Sequence, residues 1–404
     1  MLGVGKVGPR GDVSRPGGDV RTRTAAERDA WVVMASVDGL GPVAFGALLR
    51  RFGDGRSVLE AARRDGRVLL TTARDSRDRL EEAVADRLVE AALDEDRILA
   101  SVADLGLAVL TLDDERFPRR LIAVEMPPHL LFVWGDPTAL SPGRAVAVVG
   151  TRRPSELGRR LAARIAAAVS NAGASVVSGL AVGVDGAAHA AAVAAGVPTI
   201  AVLGSGHGRL FPRAHERLAQ AIVDGGGAVV SEFFADVGPT KGTFPRRNRL
   251  ISGLADATVV VEAPIRSGAL ITADWALEQG RECFIVPGPL DAPSSAGSLA
   301  FLRDHAGIAR IVAGVPELVE DLGLVDAVAG DPRPAVEVEL GAVERSLVGA
   351  LASGASTTDD LVGALREPVA TVLGGITLLE MRGLVVSAYG RHRLSGRLAG
   401  AEVA

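Results

Sequence analysis

Between about residues 145 and 324 the sequence alternates short apolar segments with helical segments, and this alternation restricts the fold more than any other feature. The apolar segments are rich in Val, Ile and Ala and have the length of buried strands. Stretches of ten or more residues with helical character separate most of them. Such an order is typical of an α/β domain whose doubly wound, mostly parallel sheet is covered by helices on both faces. The predicted strands are 146–149, 175–178, 199–203, 228–231, 258–262, 283–286 and 308–312.

The segments on either side of this region have other patterns. Residues 24–140 are predicted to be mainly helical, and Gly39-Leu40-Gly41 lies between two of the helices. This turn resembles a helix-hairpin-helix or SAM-like DNA-binding module, and an ordinary helical hairpin explains it equally well. Residues 336–404 have the order of a winged helix, with three helices and then two strands around Tyr389-Gly390. We therefore predict a disordered tail at 1–23, a helical domain at 24–140, an α/β core at 141–326, a linker at 327–335 and a winged-helix domain at 336–404.

The composition favours a large apolar core in a reducing compartment. The 404 residues are 48% hydrophobic, the formal net charge is −5, and the single cysteine, Cys283, allows no disulfide within the chain. We expect Cys283 to be a buried apolar residue. Two uncharged segments, 165–184 and 186–208, are long enough to span a membrane, but glycines interrupt both, so they are predicted to be helix–turn–strand units. We expect a cytoplasmic protein without membrane insertion or a secretory signal.

Polar residues follow the ends of several predicted strands, where ligands bind in doubly wound sheets. Arg152 comes after the first strand, Gly179 after the second, Gly204-Ser205-Gly206 after the third, Glu232 after the fourth and Ser267-Gly268 after the fifth. Neither a Walker lysine motif nor the dinucleotide-binding glycine pattern follows the first strand. The sequence therefore predicts an anion-binding edge without a nucleotide cofactor.

A short basic segment, residues 241–253, points to nucleic acid. It holds four cations and no acid, in a chain that has only two lysines. Pro245 is predicted to be the first residue of a helix, which places the arginines where the helix dipole favours an anion. Phe244 offers a surface for base stacking, so charge and stacking together predict single-stranded nucleic acid. A solvated basic turn with Phe244 in the core is the alternative. The cations are Lys241, Arg246, Arg247 and Arg249.

Two residue pairs, one of an aspartate and a histidine and one of two glutamates, could have either a catalytic or a structural role. Asp185 and His189 lie four residues apart on a predicted helix and share a face. They could form an acid–base pair or a metal site, but we favour a helix cap at Asp185 and a His189 that hydrogen-bonds within the turn or holds a loop, with no metal. Glu232 and Glu262 could form a carboxylate pair. We favour ion pairs between them and Arg247 or Arg249 instead.

These motifs, taken in order, resemble those of the DNA-processing protein A family, also called DprA or Smf. The order is specific although each motif alone is weak. The winged-helix segment and the N-terminal helices resemble the family's accessory domains less specifically. The matching segments are Gly150-Thr151-Arg152, 178–189, 201–206, Ser231-Glu232, 244–251, 261–263, 267–273 and Val286-Pro287-Gly288.

The resemblance implies a Rossmann-like core that forms a homodimer, binds single-stranded DNA and loads the RecA recombinase in natural transformation, without enzymatic activity or a cofactor. Two departures concern the end of the core, where Gly297-Ser298-Leu299 and His305-Ala306 replace the family's polar and Gly-Ala positions. Leu157 stands where an aromatic residue is frequent. The implied DNA-binding residues are Arg152, Gly179, Lys241, Phe244, Arg246, Arg247, Asn248, Arg249, Ser267 and Gly268.

An enzyme is the alternative hypothesis. Nucleotide phosphoribohydrolases of the lysine-decarboxylase-like type share this superfold and carry a glycine-rich phosphate turn with a catalytic glutamate on the following helix. Here Asp274 is the nearest candidate for that glutamate, and the phosphate turn is incomplete. We therefore rank this activity below DNA binding. Release of free base from nucleoside monophosphates would favour it.

Overall fold

The computed structural model describes residues 25–70, 80–324, 340–388 and 390–394. The predicted tail (1–23), the predicted linker (327–335) and Tyr389 lie outside the described residues.

Helices form the N-terminal part of the chain. They bury one apolar cluster around Trp31, which also contains Leu130 and Phe132 from the main sheet. Gly39 adopts a left-handed φ of 86°, and Pro42 opens the second helix, so the chain turns sharply between the first two helices. The helices are α1 (Ala25–Ala35), α2 (Pro42–Phe52), α3 (Gly55–Arg64), α4 (Arg67–Leu70), α5 (Glu82–Leu93) and α6 (Glu95–Asp104).

The central part is an α/β domain, as predicted. Its strands are β1 (Ala108–Thr111), β2 (Leu130–Gly135), β3 (Ala145–Val149), β4 (Ser175–Ser178), β5 (Ile200–Val202), β6 (Ala228–Ser231), β7 (Ala257–Val260), β8 (Glu282–Ile285) and β9 (Arg310–Ile311). Its helices are α7 (Arg119–Ile122), α8 (Glu156–Asn171), α9 (Val184–Ala194), α10 (Glu216–Asp224), α11 (Thr243–Gly253), α12 (Gly268–Glu278), α13 (Ala296–Asp304) and α14 (Val315–Asp321).

Nine strands form one sheet in the order β1-β2-β6-β5-β4-β3-β7-β8-β9. The strands from β3 to β9 pair in parallel, each within a residue or two of its predicted place. Strands β1 and β2 are a correction, because the segment 24–140 was predicted to be mainly helical. They extend the sheet as antiparallel strands, with β2 paired to β6. The division into domains remains a prediction.

Helices cover both faces of the sheet. On one face, α8 and α9 pack on alternate residues of β3 and β4, such as Val146 and Val176. On the other face, α11 and α12 pack on the intervening residues, such as Ala147 and Val177. Cys283 is buried in this second cluster, as predicted. Strand β3 lies between β4 and β7. Strands β4 to β6 follow on one side of β3 and strands β7 to β9 on the other, so a crevice opens beyond the carboxyl ends of β3 and its neighbours.

The C-terminal part is a winged helix, as predicted. Three helices pack around Leu347, Leu361 and Ile376, and two antiparallel strands follow them. The elements are α15 (Ala342–Ala352), α16 (Thr358–Leu365), α17 (Val369–Met381), β10 (Val385–Ala388) and β11 (Arg391–Leu394).

Over the described ranges, no single helix has the length and apolarity to cross a membrane. Helices α16 and α17, bent by 115° at the break between them, meet the length and composition criteria only as a pair.

Candidate nucleic-acid interface

The sequence-predicted site residues do gather at the carboxyl edge of the parallel strands. Arg152 follows β3, Gly179 follows β4 and Glu232 follows β6, while α11 brings the basic segment to the same edge. The ends of parallel strands meet at one edge, so the loops converge although the chain separates them widely. The crevice is therefore lined by cations from two separate segments, β3–α8 and α11.

Phe244 and Arg152 form the exposed centre of this edge. The Arg152 guanidinium lies over the Phe244 ring, with its carbon 4.6 Å from the ring centroid. Arg152 is exposed and Phe244 is half-buried. The ring edge packs against Gly204 so closely that a Cβ there would lie 2.6 Å from it. Phe244 is thus neither free in solvent nor a core residue, because the strand edge holds it in place beneath a stacked cation.

The helix that carries Phe244 begins earlier than predicted. Helix α11 starts at Thr243, so Pro245 is its third residue rather than its first. Pro245 is tolerated because the first N–H groups of a helix have no partner within it. The backbone N–H of Thr243 and the Oγ1 of Thr240 lie 3.2 Å apart and fix the preceding turn. Lys241 lies in that turn with its side chain exposed.

Arg247, which the DprA resemblance assigned to DNA, is buried in this structure. It is 4% exposed and donates to the backbone carbonyls of Gly179, at 2.8 Å, and of Val202. Burial lowers the pKa of its guanidinium to about 10, and the nearby Asp185 opposes that shift. A Cβ at Gly179 would lie 2.7 Å from both an Arg247 nitrogen and an Asp185 oxygen. Arg247 therefore ties α11 to the ends of β4 and β5.

Arg249 is also buried, against Glu232. Its Nη2 lies 2.6 Å from Oε2 of Glu232, and both side chains are 2% exposed. The other oxygen of Glu232 lies 3.3 Å from Nε of Arg246, whose side chain is 39% exposed. This confirms the ion pair that was expected for Glu232. A phosphate has no access to Arg249 in this arrangement, whereas part of Arg246 faces solvent.

Residues 108–323, more than half of the chain, match the family described as DNA recombination-mediator protein A. The chain belongs to this family. Residues 331–391 match the DprA winged helix domain, which agrees with the predicted C-terminal fold.

Individual relatives and one solved structure agree with this assignment. The chain is 44% identical to Protein Smf of Escherichia coli over 214 residues, which cover 53% of this chain and 56% of that protein. It is 30% identical to Protein Smf of Synechocystis over 370 residues, covering 88% and 90%. Its fold is similar to that of DNA processing protein A from Streptococcus pneumoniae, with a TM-score of 0.59, 28% identity and coverage of 72% and 97%.

Three further residues that the DprA resemblance assigned to DNA fix the start of α12. Asn248 is 7% exposed, and its Nδ2 donates to the carbonyl of Gly268 at 3.0 Å. The Ser267 hydroxyl accepts from the N–H of Ala269 at 3.3 Å and caps the helix. Gly268 is exposed and leads the helix. Ser267 and Gly268 therefore stay within reach of a ligand, while Asn248 joins α11 to α12.

Asp185 and His189 have separate structural partners. The Asp185 carboxylate accepts from the N–H of Gly179 at 3.1 Å, and the cap of α9 is Gly183, so the predicted cap at Asp185 is wrong. Burial raises the pKa of Asp185, and Arg247 opposes that rise. His189 Nδ1 lies 2.9 Å from the Thr199 hydroxyl, as its predicted hydrogen-bonding role required. Burial lowers the pKa of His189 to about 3, so the ring is neutral.

Glu262 pairs with neither Arg247 nor Arg249, contrary to the expectation. Its carboxylate accepts from the hydroxyl of Ser155, at 2.8 Å, and from the N–H of Ser155, at 3.1 Å. Ser155 in turn caps α8, so Glu262 fixes the start of the helix that follows Arg152. In the described ranges, no group of three or more His, Cys, Asp or Glu residues is arranged to hold a metal ion.

The segments that depart from the DprA pattern pack at the end of the core. The N–H of Ser298 donates to the carbonyl of Ala263 at 3.0 Å. His305 stacks on Phe301, and its Nε2 lies 4.0 Å from Asp274. Burial raises the pKa of Asp274, and His305 opposes that rise. The aspartate of the enzyme hypothesis thus lies near His305 at the end of α13 rather than in the basic crevice.

The sequence analysis placed Gly204 at this edge without giving it a role, and it missed Phe211. Gly204 is the surface on which the Phe244 ring packs, and Phe211 lies next to the same ring with centroids 6.1 Å apart. Phe211 is 43% exposed. The available signal was the scarcity of aromatic residues, only 3% of the chain, which makes an aromatic in a loop after a strand unusual.

Proposed function

We propose that this chain binds single-stranded DNA at the carboxyl edge of its parallel strands. Arg152 and Lys241 hold phosphates, and Phe244 stacks on a base. The stacked pair of Arg152 and Phe244, next to the exposed Lys241, carries the proposal. Aromatic surface combined with local positive charge is the pattern of single-strand binding.

The buried residues of the basic segment have a supporting role in this proposal. Arg247 and Arg249 hold α11 against the strand ends, and Asn248 joins α11 to the start of α12, through the contacts described above. In this proposal the strand also meets Arg246, Ser267 and Gly268, which are at least partly exposed, while the buried Gly179 supports Arg247 beneath them. A strand that docks here meets a surface whose shape is already set, which lowers the entropy lost on binding.

We further propose that the bound strand is handed to the RecA recombinase in DNA uptake and recombination, and that the protein acts as a homodimer in the cytoplasm without enzymatic activity of its own. The family description, recombination mediator, and the names of the relatives support this role. Light scattering at micromolar concentration should give twice the chain mass of 41.5 kDa. A monomer would contradict the dimer, and unchanged RecA assembly on coated single strands would contradict the hand-over.

Fluorescence anisotropy with labelled single- and double-stranded oligonucleotides across a salt series tests DNA binding. We expect preference for the single strand, without any need for a nucleotide, because base stacking requires an exposed base face. Equal affinity for both forms, or a requirement for ATP, would overturn the proposal. Release of free base from nucleoside monophosphates would support the enzyme hypothesis instead.

A further inference from the structure

A groove of about 810 Å³ runs along the surface beside the Phe244 site. One wall is the loop between β5 and α10, and the other is the segment that joins α6 to β1 together with the end of β2. Its lining combines aromatic and aliphatic surface with arginines. The residues that carry the argument are Trp134, His207, Arg209, Phe211 and Arg213.

Phe211 belongs to both the groove and the Phe244 site. Its ring is 43% exposed, and its centroid lies 6.1 Å from that of Phe244. The two ring planes are inclined by 57°, so one flat base cannot stack on both. Each ring would take its own base, and the two bases would be inclined to each other. Bases of a duplex are parallel, so this pair of rings fits a single strand.

The charges along the groove fit a strand held mainly by stacking. Arg209 and Arg213 are exposed, and Asp104 and Glu216 also line the groove. His207 adds no charge near neutral pH, because burial lowers its pKa to about 4. The cations and acids balance within the groove, so phosphate attraction there is weak and local. Trp134 is half-buried and is the second aromatic surface of the groove.

We propose that the single strand continues from Phe244 across Phe211 into this groove. Phe211 stacks on the base next to the one on Phe244, Trp134 contacts a base further along, and Arg209 and Arg213 hold the intervening phosphates. This inference rests on the proposed function, since it extends the same binding track. It assigns a second subsite for single-stranded DNA, in the part of the β5–α10 loop that follows the family motif 201–206.

Oligothymidylates of increasing length, from about 4 to about 16 nucleotides, test the second subsite. We first identify the shortest oligomer whose affinity is lowered by Phe244→Ala. We expect this oligomer to bind the parent and Phe211→Ala with equal affinity. Longer oligomers should bind the parent more tightly, and Phe211→Ala should lose about 5- to 150-fold of their affinity, which corresponds to one base–aromatic stack. Phe211→Trp, which keeps an aromatic ring, is the matched control.

Tryptophan fluorescence locates the longer strand independently. Long oligomers, but not the shortest, should quench the emission of the parent, and Trp134→Phe should remove that length-dependent part while Trp31 and Trp275 remain. Arg213→Gln should weaken only the long oligomers, which keeps the test decisive if Phe211→Ala fails to fold. The groove is excluded if these variants affect all lengths equally or none, while Phe244→Ala still weakens binding. Parent-like binding by Phe244→Ala and Lys241→Ala would instead reject the proposed function itself.

Discussion

Replacement of Phe244 by alanine separates stacking from charge at the proposed site. The substitution removes the surface under Arg152 and any base stacked on the ring, and it changes no charge. A base–aromatic stack contributes about 1–3 kcal/mol, so affinity for a single strand should fall about 5- to 150-fold. The dependence of affinity on salt should stay the same, because no additional counterion is retained or released.

Lys241→Ala is the complementary change, since Lys241 is exposed and lies in the turn before α11. Each phosphate contact made to a single strand contributes about −0.7 to the slope of log K against log salt. For an oligomer too short to reach the Phe211 groove, with Arg152 and Lys241 as its two phosphate contacts, we expect a parent slope of about −1.4 and about −0.7 for Lys241→Ala. Arg152→Ala should make the slope less steep by the same amount, and it also removes the cation over Phe244.

Stability measurements provide the control for Phe244→Ala. A fully buried Phe→Ala change costs about 3–5 kcal/mol, and Phe244 is only half-buried, so we expect a loss of about 2 kcal/mol and a folded protein by circular dichroism. Unfolding of this variant would show that Phe244 is a core residue. If both folded variants bind like the parent, the assignment of the site to the basic segment is refuted.

Three other substitutions have expected effects that follow from single contacts. Gly204→Ala places a Cβ 2.6 Å from the Phe244 ring, so it should displace the ring and weaken single-strand binding in anisotropy titrations; parent-like affinity would show that the ring position is unimportant. Glu232→Ala leaves Arg249 buried without its charge partner and should cost about 3–5 kcal/mol in urea unfolding, whereas a loss below about 1 kcal/mol would contradict the buried pair. His189 has a pKa of about 3 in the folded protein, against an ordinary value of 6.5. Between these two pH values only the unfolded chain binds the proton, so the free energy of unfolding should decrease by about 1.4 kcal/mol for each unit by which the pH is lowered. His189→Gln should reduce this acid sensitivity relative to the parent, and an equal pH slope for both proteins would refute the assignment.

The parallel part of the sheet was predictable because its strands are continuous apolar runs that helices separate. Val176, Val229 and Phe284 all lie in segments that the sequence analysis assigned to strands. Strands β1 and β2 were missed because they are antiparallel additions from a segment dominated by helices. Their place depends on pairing with β6, which lies about a hundred residues further along the chain, and no local pattern reports such a partner.

The composition of the basic segment was predictable, but the exposure of its members was not. The sequence places Lys241, Arg246, Arg247 and Arg249 in one cationic group. Helix α11 is buried on all sides from Arg247 to Gly253, while the turn with Lys241 is exposed. Arg247 and Arg249 point to different sides of the helix and are buried against Gly179 and Glu232, residues of other loops. Local periodicity gives the spacing of side chains around a helix but not the direction of its neighbours.

The buried arginines explain how an acidic protein can present a local site for a polyanion. The net charge of −5 opposes general attraction to DNA, so positive charge has to be concentrated and its position held. Arg247 and Arg249 are each neutralised in part, by Asp185 and by Glu232, and their hydrogen bonds fix α11 on the sheet. That support leaves the charges of Arg152 and Lys241 at the surface, beside an aromatic ring whose place is set by Gly204. Few exposed cations imply weak retention of duplex backbone, and the stacking ring then favours a strand whose bases are free.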